Sequence, residues 1–376
     1  MLTLTCRDRA RPVPLLGAGT DAYAAQMTDA TSRRGAGPGR VASSIGDVAR
    51  LAGVSTQTVS RVAHGAPSVR DETRRRVLDA MDRLGYSPNA AARALRSGAS
   101  GTIGVIAHQL ARTGESRTVE AVVEAARREG YTVSLVDVQT PGSDDVSAAV
   151  QRLSHQTIDG LVIIRAETAT PTTLALPRRL PVVAVDSRFV GHHPAVGADQ
   201  AGGAAAAVQH LLDLRHATVH HLAGPAASVP ASSRVDGWRD ALVRTGRRVP
   251  PVVVGDWSAE SGYALASELL ADPELTAVFC GNDEMASGLL LALHERGVRV
   301  PQDVSVVGFD DIPLARFLWP PLTTVRQDFA AIGERLVELL LAQVRDGAVL
   351  ANRHVTVPAP LVVRASTGPA RASGAS

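Results

Sequence analysis

From Thr102 onward the chain alternates short unbroken apolar runs with longer stretches whose apolar residues recur at helical spacing, and this alternation constrains the fold more than anything else. One series of runs occupies 103–107, 132–136, 160–164 and 182–185, with helices expected over 118–129 and 144–155. A second occupies 217–222, 251–254, 276–279 and 304–307, with helices expected over 199–214, 234–245, 259–271 and 284–296. A strand with one wet face would alternate apolar and polar residues. These runs do not, so they suit parallel strands covered by helices on both faces. Two consecutive series predict an α/β core of two lobes, each a doubly wound parallel sheet. A last helix over 329–345 and a β pair within 354–363 complete the expected core. Aromatic residues are only 3% of the 376-residue chain against 45% for all hydrophobic ones, so the core is built from Ala, Val, Leu and Ile.

Ahead of the core lies Asp47-Val-Ala-Arg-Leu-Ala-Gly-Val-Ser-Thr-Gln-Thr-Val-Ser-Arg-Val62, which reads as two short helices joined at Gly53. Ser44-Ile-Gly-Asp47 has the spacing of a capping box, with Asp in place of Glu. The first helix is expected to bury Val48, Leu51 and Ala52. Ser55 can cap the second, which buries Val54, Val59 and Val62 and leaves Thr56, Gln57, Ser60 and Arg61 facing outward. Small polar groups and an Arg at the exposed start of a second helix suit a reader of the DNA major groove. A third helix over 71–84 closes a three-helix core with Val69, Val77, Leu78, Met81 and Leu84. Asn89-Ala-Ala-Ala-Arg-Ala-Leu-Arg96 is too short to be a stable helix alone and can order on DNA. Leu95 there is a candidate minor-groove wedge. The net charge of +2 makes any nucleic-acid footprint local rather than global.

Polar residues gather after the expected strands. Asp186 follows one, Cys280-Gly-Asn282-Asp283 another, and Gly308-Phe-Asp310-Asp311 a third. Arg234 begins a helix, and Trp257 follows a strand end. Carboxylates, an amide, an Arg and a Trp are the groups that hold a sugar, by hydrogen bonds to its hydroxyls and contact with its C–H face. Each has a plainer role as well: Asp283 as a helix cap, Asp311 as a turn residue, Trp257 as core. His192-His193 and His220-His221 do not read as metal ligands, because neighbours on a strand face opposite ways. No Gly-x-Ser-x-Gly elbow, phosphate loop or Ser/His/Asp grouping stands out, so neither an enzyme nor a cofactor is expected. Two Cys, far apart, give no disulfide framework, and no apolar run is long enough to span a membrane. The apolar patch at 12–16 is Pro-broken and makes a poor secretory signal, so a cytoplasmic, nucleoid-associated protein is expected.

At this point the chain resembles the LacI/GalR family of bacterial transcriptional regulators, its lac-type members most of all, over about 44–365. The motifs are Asp47-Val-Ala, Ala52-Gly-Val-Ser55, Gln57-Thr-Val-Ser-Arg-Val62, Gly85-Tyr-Ser-Pro-Asn89, Leu222-Ala-Gly-Pro225, Gly255-Asp-Trp-Ser-Ala259, Asn282-Asp283, Val306-Val-Gly-Phe-Asp-Asp311, Pro321-Leu-Thr-Thr324 and Gln327-Asp-Phe329. The resemblance implies a helix-turn-helix headpiece and hinge helix followed by a two-lobed, periplasmic-binding-protein-like core. It places Thr56, Gln57, Ser60, Arg61 and Asn89 on DNA and Leu95 in the central minor groove. It places Asp186, Arg234, Asn282, Asp310 and Gln327 at sugar-contacting positions, Trp257 at the stacking position and His108 in the first ligand loop. Keeping the first six of these resembles galactoside responders more than purine responders. Lac-type members carry Tyr at the Thr56 position and Ser at the His108 position, so operator and preferred sugar are expected to differ. Arg70 stands where a Ser or Thr usually caps the third helix, and Asp71 can serve the helix dipole instead.

The expected organisation is a disordered extension at 1–42, a headpiece at 43–87, a hinge helix and linker at 88–100, a core at 101–365 and a disordered tail at 366–376. Within the core, lobe 1 is expected at about 101–197 and 327–350, and lobe 2 at about 198–323 and 353–365. Met27 is an alternative start to Met1. No Leu heptad follows Ala365, so the expected assembly is a homodimer without a tetramerisation helix, bound to pseudo-palindromic operator DNA and released by a small sugar effector. The alternative within the family is a different effector: another sugar, a purine or a phosphoprotein corepressor. Outside it, a secreted sugar-binding protein would need a signal segment and no helix-turn-helix, and an α/β enzyme would show turnover.

Overall fold

The computed structural model describes residues 43–63, 66, 68–86, 99–138, 143–154, 157–164, 176, 180–185, 192–347 and 353–371. Asn89, Leu95 and Asp186 lie outside the described residues, as do the expected extension at 1–42 and all but the last two residues of the expected hinge. The chain falls into two units, Met1–Asn89 and Ala90–Ser376.

In the first unit, α1 (Ile45–Ala52), α2 (Thr56–Ala63) and α3 (Asp71–Leu84) enclose a core of Val48, Ala49, Ala52, Val59, Val62, Val77, Ala80 and Met81. Ser44 and Asp47 form the expected reciprocal capping box, an arrangement in which the cap alone contributes roughly 1 kcal/mol. Gly53 ends α1 at φ 63°, a conformation that costs glycine little. Ser55 Oγ accepts from the Thr58 amide at 3.2 Å and so caps α2. Arg70 gives α3 no side-chain cap, and Asp71 and Glu72 supply negative charge to its first turn. Two expected core residues face out: Leu51 is 43% exposed and Leu78 50%. Each stands about 100° around its helix from the buried stripe, and Ala49 and Ala80 fill the places nearer its centre.

The second unit contains two six-stranded sheets. The first has the order β11-β5-β4-β3-β1-β2, with β1 (Thr102–His108), β2 (Thr132–Val138), β3 (Gly160–Ile164), β4 (Val182–Val185), β5 (Ala195–Ala198) and β11 (His354–Val357) all parallel. The second has the order β12-β10-β9-β8-β6-β7. Its strands β6 (His220–Ala223), β7 (Val253–Val254), β8 (Ala277–Cys280), β9 (Ser305–Asp310) and β10 (Thr323–Arg326) are parallel, and β12 (Leu361–Val362) is antiparallel. Helices α4 (Thr113–Arg128) and α5 (Ser143–Ser154) pack on the first sheet. Helices α6 (Gln200–Asp213), α7 (Val229–Arg244), α8 (Ala259–Ala264), α9 (Ala266–Leu270) and α10 (Asp283–Glu295) belong with the second. The last helix, α11 (Phe329–Asp346), returns to the first sheet and lies against α4, β3, β4 and β5. The chain therefore passes between lobes after β5, after β10 and between β11 and β12.

Several expectations change. The β pair at 354–363 is not a pair: His354–Val357 joins the first sheet, not lobe 2, and Leu361–Val362 the second. The physical reason is the open edge of β5, whose neighbouring amides at Ala195 and Asp199 donate to Arg353 O and Val357 O at 2.9 and 2.8 Å. Helices α4 and α7 begin a turn or more earlier than expected, so Arg234 sits inside α7 and not at its start. The tail is ordered as far as Arg371: Ser366 is fully buried, accepts from Thr323 N and donates to Val306 O.

Helices α8 and α10 meet through two glycines. A Cβ at Gly288 would stand 1.8 Å from Ala259 O, and one at Gly262 would stand 2.1 Å from Met285 O. Gly288→Ala should therefore destabilise the fold by about 1–3 kcal/mol, the usual cost of overpacking, as measured by urea denaturation; an unchanged midpoint would contradict this contact.

Candidate functional site

The carboxyl ends of the two sheets enclose a narrow cleft. The first lobe contributes Arg112, Thr113, Gly114 and Glu115, and the second contributes Arg234, Trp257, Asn282, Glu284 and Asp310. Gln109, Trp257, Asp310 and Asp311 all have positive φ at these strand ends. Non-glycine residues held there cost energy, which the packing around the cleft supplies.

Arg234 organises the site. Its side chain is 1% exposed. Nε donates to Gln200 Oε1 at 2.7 Å, Nη1 to Gly281 O, and Nη2 to Asp310 Oδ1 at 3.4 Å. The guanidinium lies 3.7 Å from the centre of the Phe309 ring. Gln327 Nε2 donates to the same Asp310 oxygen at 2.5 Å, and Gln200 Nε2 donates to Gln327 Oε1 at 3.2 Å. The four side chains form a closed ring. A buried charge is costly unless it is paired and hydrogen-bonded, and the ring together with Gly281 O gives the guanidinium three acceptors. Gln200 and Gln327 also flank two of the three passages between lobes. The ring therefore joins cleft-lining groups to the segments about which the lobes can move.

Trp257 is 5% exposed and packs in the second lobe's core. Its indole fits because Gly224 and Gly281 lie against it: a Cβ at Gly224 would stand 2.2 Å from the ring. Its Nε1 is buried without a partner among the described residues. Such a donor at a cleft wall suits a ligand acceptor. Asn282, not Asp283, caps α10: its Oδ1 accepts from Met285 N at 2.9 Å, and its Nδ2 donates to Trp257 O and Glu284 Oε2, each at 2.9 Å. Asp283 is fully buried, accepting from Thr324 Oγ1 at 2.5 Å and Ile312 N at 2.9 Å. Burial, then the charge of Asp310, push its carboxyl well above the usual range. Asp311 is held by Arg364 and Arg326 at 2.5 and 2.7 Å, which outweigh its burial and lower its pKa.

His108 is not among the residues lining the cleft. It lies opposite Val138 in the β1–β2 register, and its Nδ1 bonds Val138 O at 2.9 Å. Gln327 stands behind Asp310. Sequence reasoning missed Gln200, whose strand β5 is too short to see, and Arg112, Glu115 and Glu284, whose helical positions look like solvated charge. His220 and His221 point apart: one bonds Asp272 at 2.9 Å, and the other stacks on Phe279, with burial lowering its pKa to about 4. In the first unit, Thr56, Gln57 and Arg61 are exposed on α2 and Ser60 is half-buried.

Residues 44–89 match the profile of bacterial regulatory proteins of the lacI family, and 208–367 that of the periplasmic binding protein-like domain. The chain is 34% identical to the HTH-type transcriptional repressor PurR of Pasteurella multocida (strain Pm70), over 80% of this chain and 92% of that one. It is 36% identical to the lactose operon repressor of Escherichia coli (strain K12), over 85% and 89%. The chain belongs to the lacI family. The ribose operon repressor of Escherichia coli (strain K12) is 34% identical, over 83% of this chain and 96% of its own length. The structure of the lac repressor dimer bound to operator and the anti-inducer ONPF superposes with a TM-score of 0.77 at 34% identity, covering 87% of this chain and 99% of that one. As a lacI-family member the protein is a DNA-binding transcriptional regulator rather than an enzyme, with α1 and α2 as its helix-turn-helix.

In this LacI-family regulator Asp283 carries a pH prediction. A carboxyl whose folded pKa is raised contributes stability below the unfolded value near 3.8, and that stability is lost as pH rises through the folded pKa. Asp283→Asn should flatten the decline in stability as pH rises above about 4 in denaturation series; parallel pH profiles for native and variant would contradict it.

Proposed function

We propose that this chain is a repressor whose operator affinity is set by a small sugar bound between the two lobes. The observation that carries the reading is the Arg234–Gln200–Gln327–Asp310 ring, which places ligand-type groups on the passages between lobes. The buried Trp257 Nε1 and the flat indole beside it suit a sugar ring with an acceptor at its edge. Galactoside specificity follows from the family positions at Asp186, Arg234, Trp257, Asn282, Asp310 and Gln327. A purine effector is the second reading, favoured by the similarity to a repressor named PurR.

On DNA, Thr56, Gln57, Ser60 and Arg61 would read base edges, Asn89 would hold backbone, and Leu95 would wedge the minor groove. Two headpieces of a two-fold dimer would read a pseudo-palindrome. Support for a dimer comes from Phe317 and Trp319, 74% and 89% exposed on the second lobe with Leu314 beside them, since large apolar groups left outside a core mark association faces. The setting would be the bacterial cytoplasm, where operator DNA is. Sugar binding would change the angle between lobes and release the operator. A coupling of about 1–3 kcal/mol is enough for a severalfold to hundredfold change in affinity.

The test is operator binding by fluorescence anisotropy with and without sugars. Arg61→Ala should lose about 1–3 kcal/mol per half-site on operator and little on unrelated DNA, whereas Arg234→Ala should bind operator normally and no longer respond. Equal losses on both DNAs remove Arg61 from base reading, and a normal response by the Arg234 variant removes the cleft from control.

A further inference from the structure

The first-lobe wall of the cleft carries charge beyond the Arg234–Asp310 ring. Arg112 and Glu115 stand at the start of α4, opposite Arg234 and Asp310. Glu115 is 1% exposed, and its Oε1 lies 3.9 Å from Arg112 Nη1. The first turn of a helix favours a carboxylate, which lowers the cost of burying one there. Arg112 lines the cleft from the first lobe, across from Arg234 and Asp310 of the second. Glu284 completes the wall from the second lobe, its Oε2 accepting from Asn282 Nδ2 at 2.9 Å. Among the described residues the lining thus presents carboxylates at Glu115, Glu284 and Asp310, guanidiniums at Arg112 and Arg234, and one aromatic face, Trp257.

We propose that Arg112, Glu115 and Glu284 are specificity residues that select a small, neutral, hydroxyl-rich effector and reject apolar substituents on it. This rests on the sugar reading of the cleft and narrows it. A hydroxyl both donates and accepts, so it meets carboxylates and guanidiniums alike. An anion would face the carboxylates, and a cation the guanidiniums. An aryl or alkyl group seated against Arg112, beside the buried Glu115 carboxylate, would strip the guanidinium of its remaining water and return no hydrogen bond. Among the described residues the single indole face serves one side of a sugar ring, and no second aromatic face stands beside it for an aglycone.

The experiment uses the full chain in calorimetry and thermal-shift titrations with unsubstituted pentoses and hexoses, galactose among them, each beside its nitrophenyl glycoside. For the sugar that binds, the nitrophenyl form should bind the native chain at least tenfold more weakly. The Arg112→Leu/Glu115→Leu double variant should narrow or reverse that order, and Arg234→Ala should lose both ligands. A nitrophenyl glycoside that binds the native chain as tightly as its free sugar overturns the inference and leaves the sugar reading intact. No binding of either form to the native chain overturns the sugar reading and this inference with it. If the double variant is unstable, Arg112→Gln alone should still reduce the discrimination against the nitrophenyl form, and unchanged discrimination overturns the assignment.

Discussion

The buried guanidinium of Arg234 is the interaction around which the cleft is built. An ion of this size is costly to remove from water, and acceptors placed around it offset that cost. Here the acceptors are Gln200 Oε1, Gly281 O and Asp310 Oδ1, with Phe309 beneath the plane. Each partner brings its own element: Gln200 the start of α6, Gly281 the end of β8, Asp310 the end of β9. Gln327 closes the ring from the segment that returns to the first lobe. A ligand that competes for Asp310 or Arg234 therefore perturbs the hydrogen bonds that fix the passages between lobes. On the proposed reading, binding and conformational response would act on the same hydrogen bonds, which is how a ligand could favour one lobe arrangement over the other.

Around this ring the chain accepts strain. Trp257, Asp310 and Asp311 hold positive φ, and the two oxygens of the buried Asp283 accept from Ile312 N and Thr324 Oγ1 behind Asp310. Gly308 leaves room for that anchor: a Cβ there would stand 2.1 Å from Asp283 Oδ1. Among the described residues the headpiece contains no comparable arrangement. It is a small core of Val, Ala and Met, with side-chain caps on α1 and α2, that leaves Thr56, Gln57 and Arg61 exposed.

Much of this was legible in the sequence where signals are local. The Ser44–Asp47 capping box, Gly53, Gly85 and the strands at 160–164 and 182–185 are set by a few neighbouring residues, and the structure places them as expected. What was not legible depends on partners far along the chain. Thr323–Arg326 is polar in sequence and becomes a strand because β9 lies beside it. His354–Val357 becomes one because β5 has an open edge. Asp283 looks like a helix cap until Asn282, one residue earlier, takes that role. His108 looks like a ligand group until the β1–β2 register turns it to Val138 O. Gln200 carried no signal, since the strand just before it is only 4 residues long and the Arg that binds it is 34 residues away.

The most direct test of the account is operator affinity of Gln200→Met with and without a saturating concentration of the sugar that binds the native chain best. Saturation separates coupling from any loss of ligand affinity. The account predicts that the variant still binds sugar and still binds operator, but that sugar changes its operator affinity far less than it does for the native chain. An undiminished response at saturation would contradict the claim that the polar ring carries the signal from cleft to lobes.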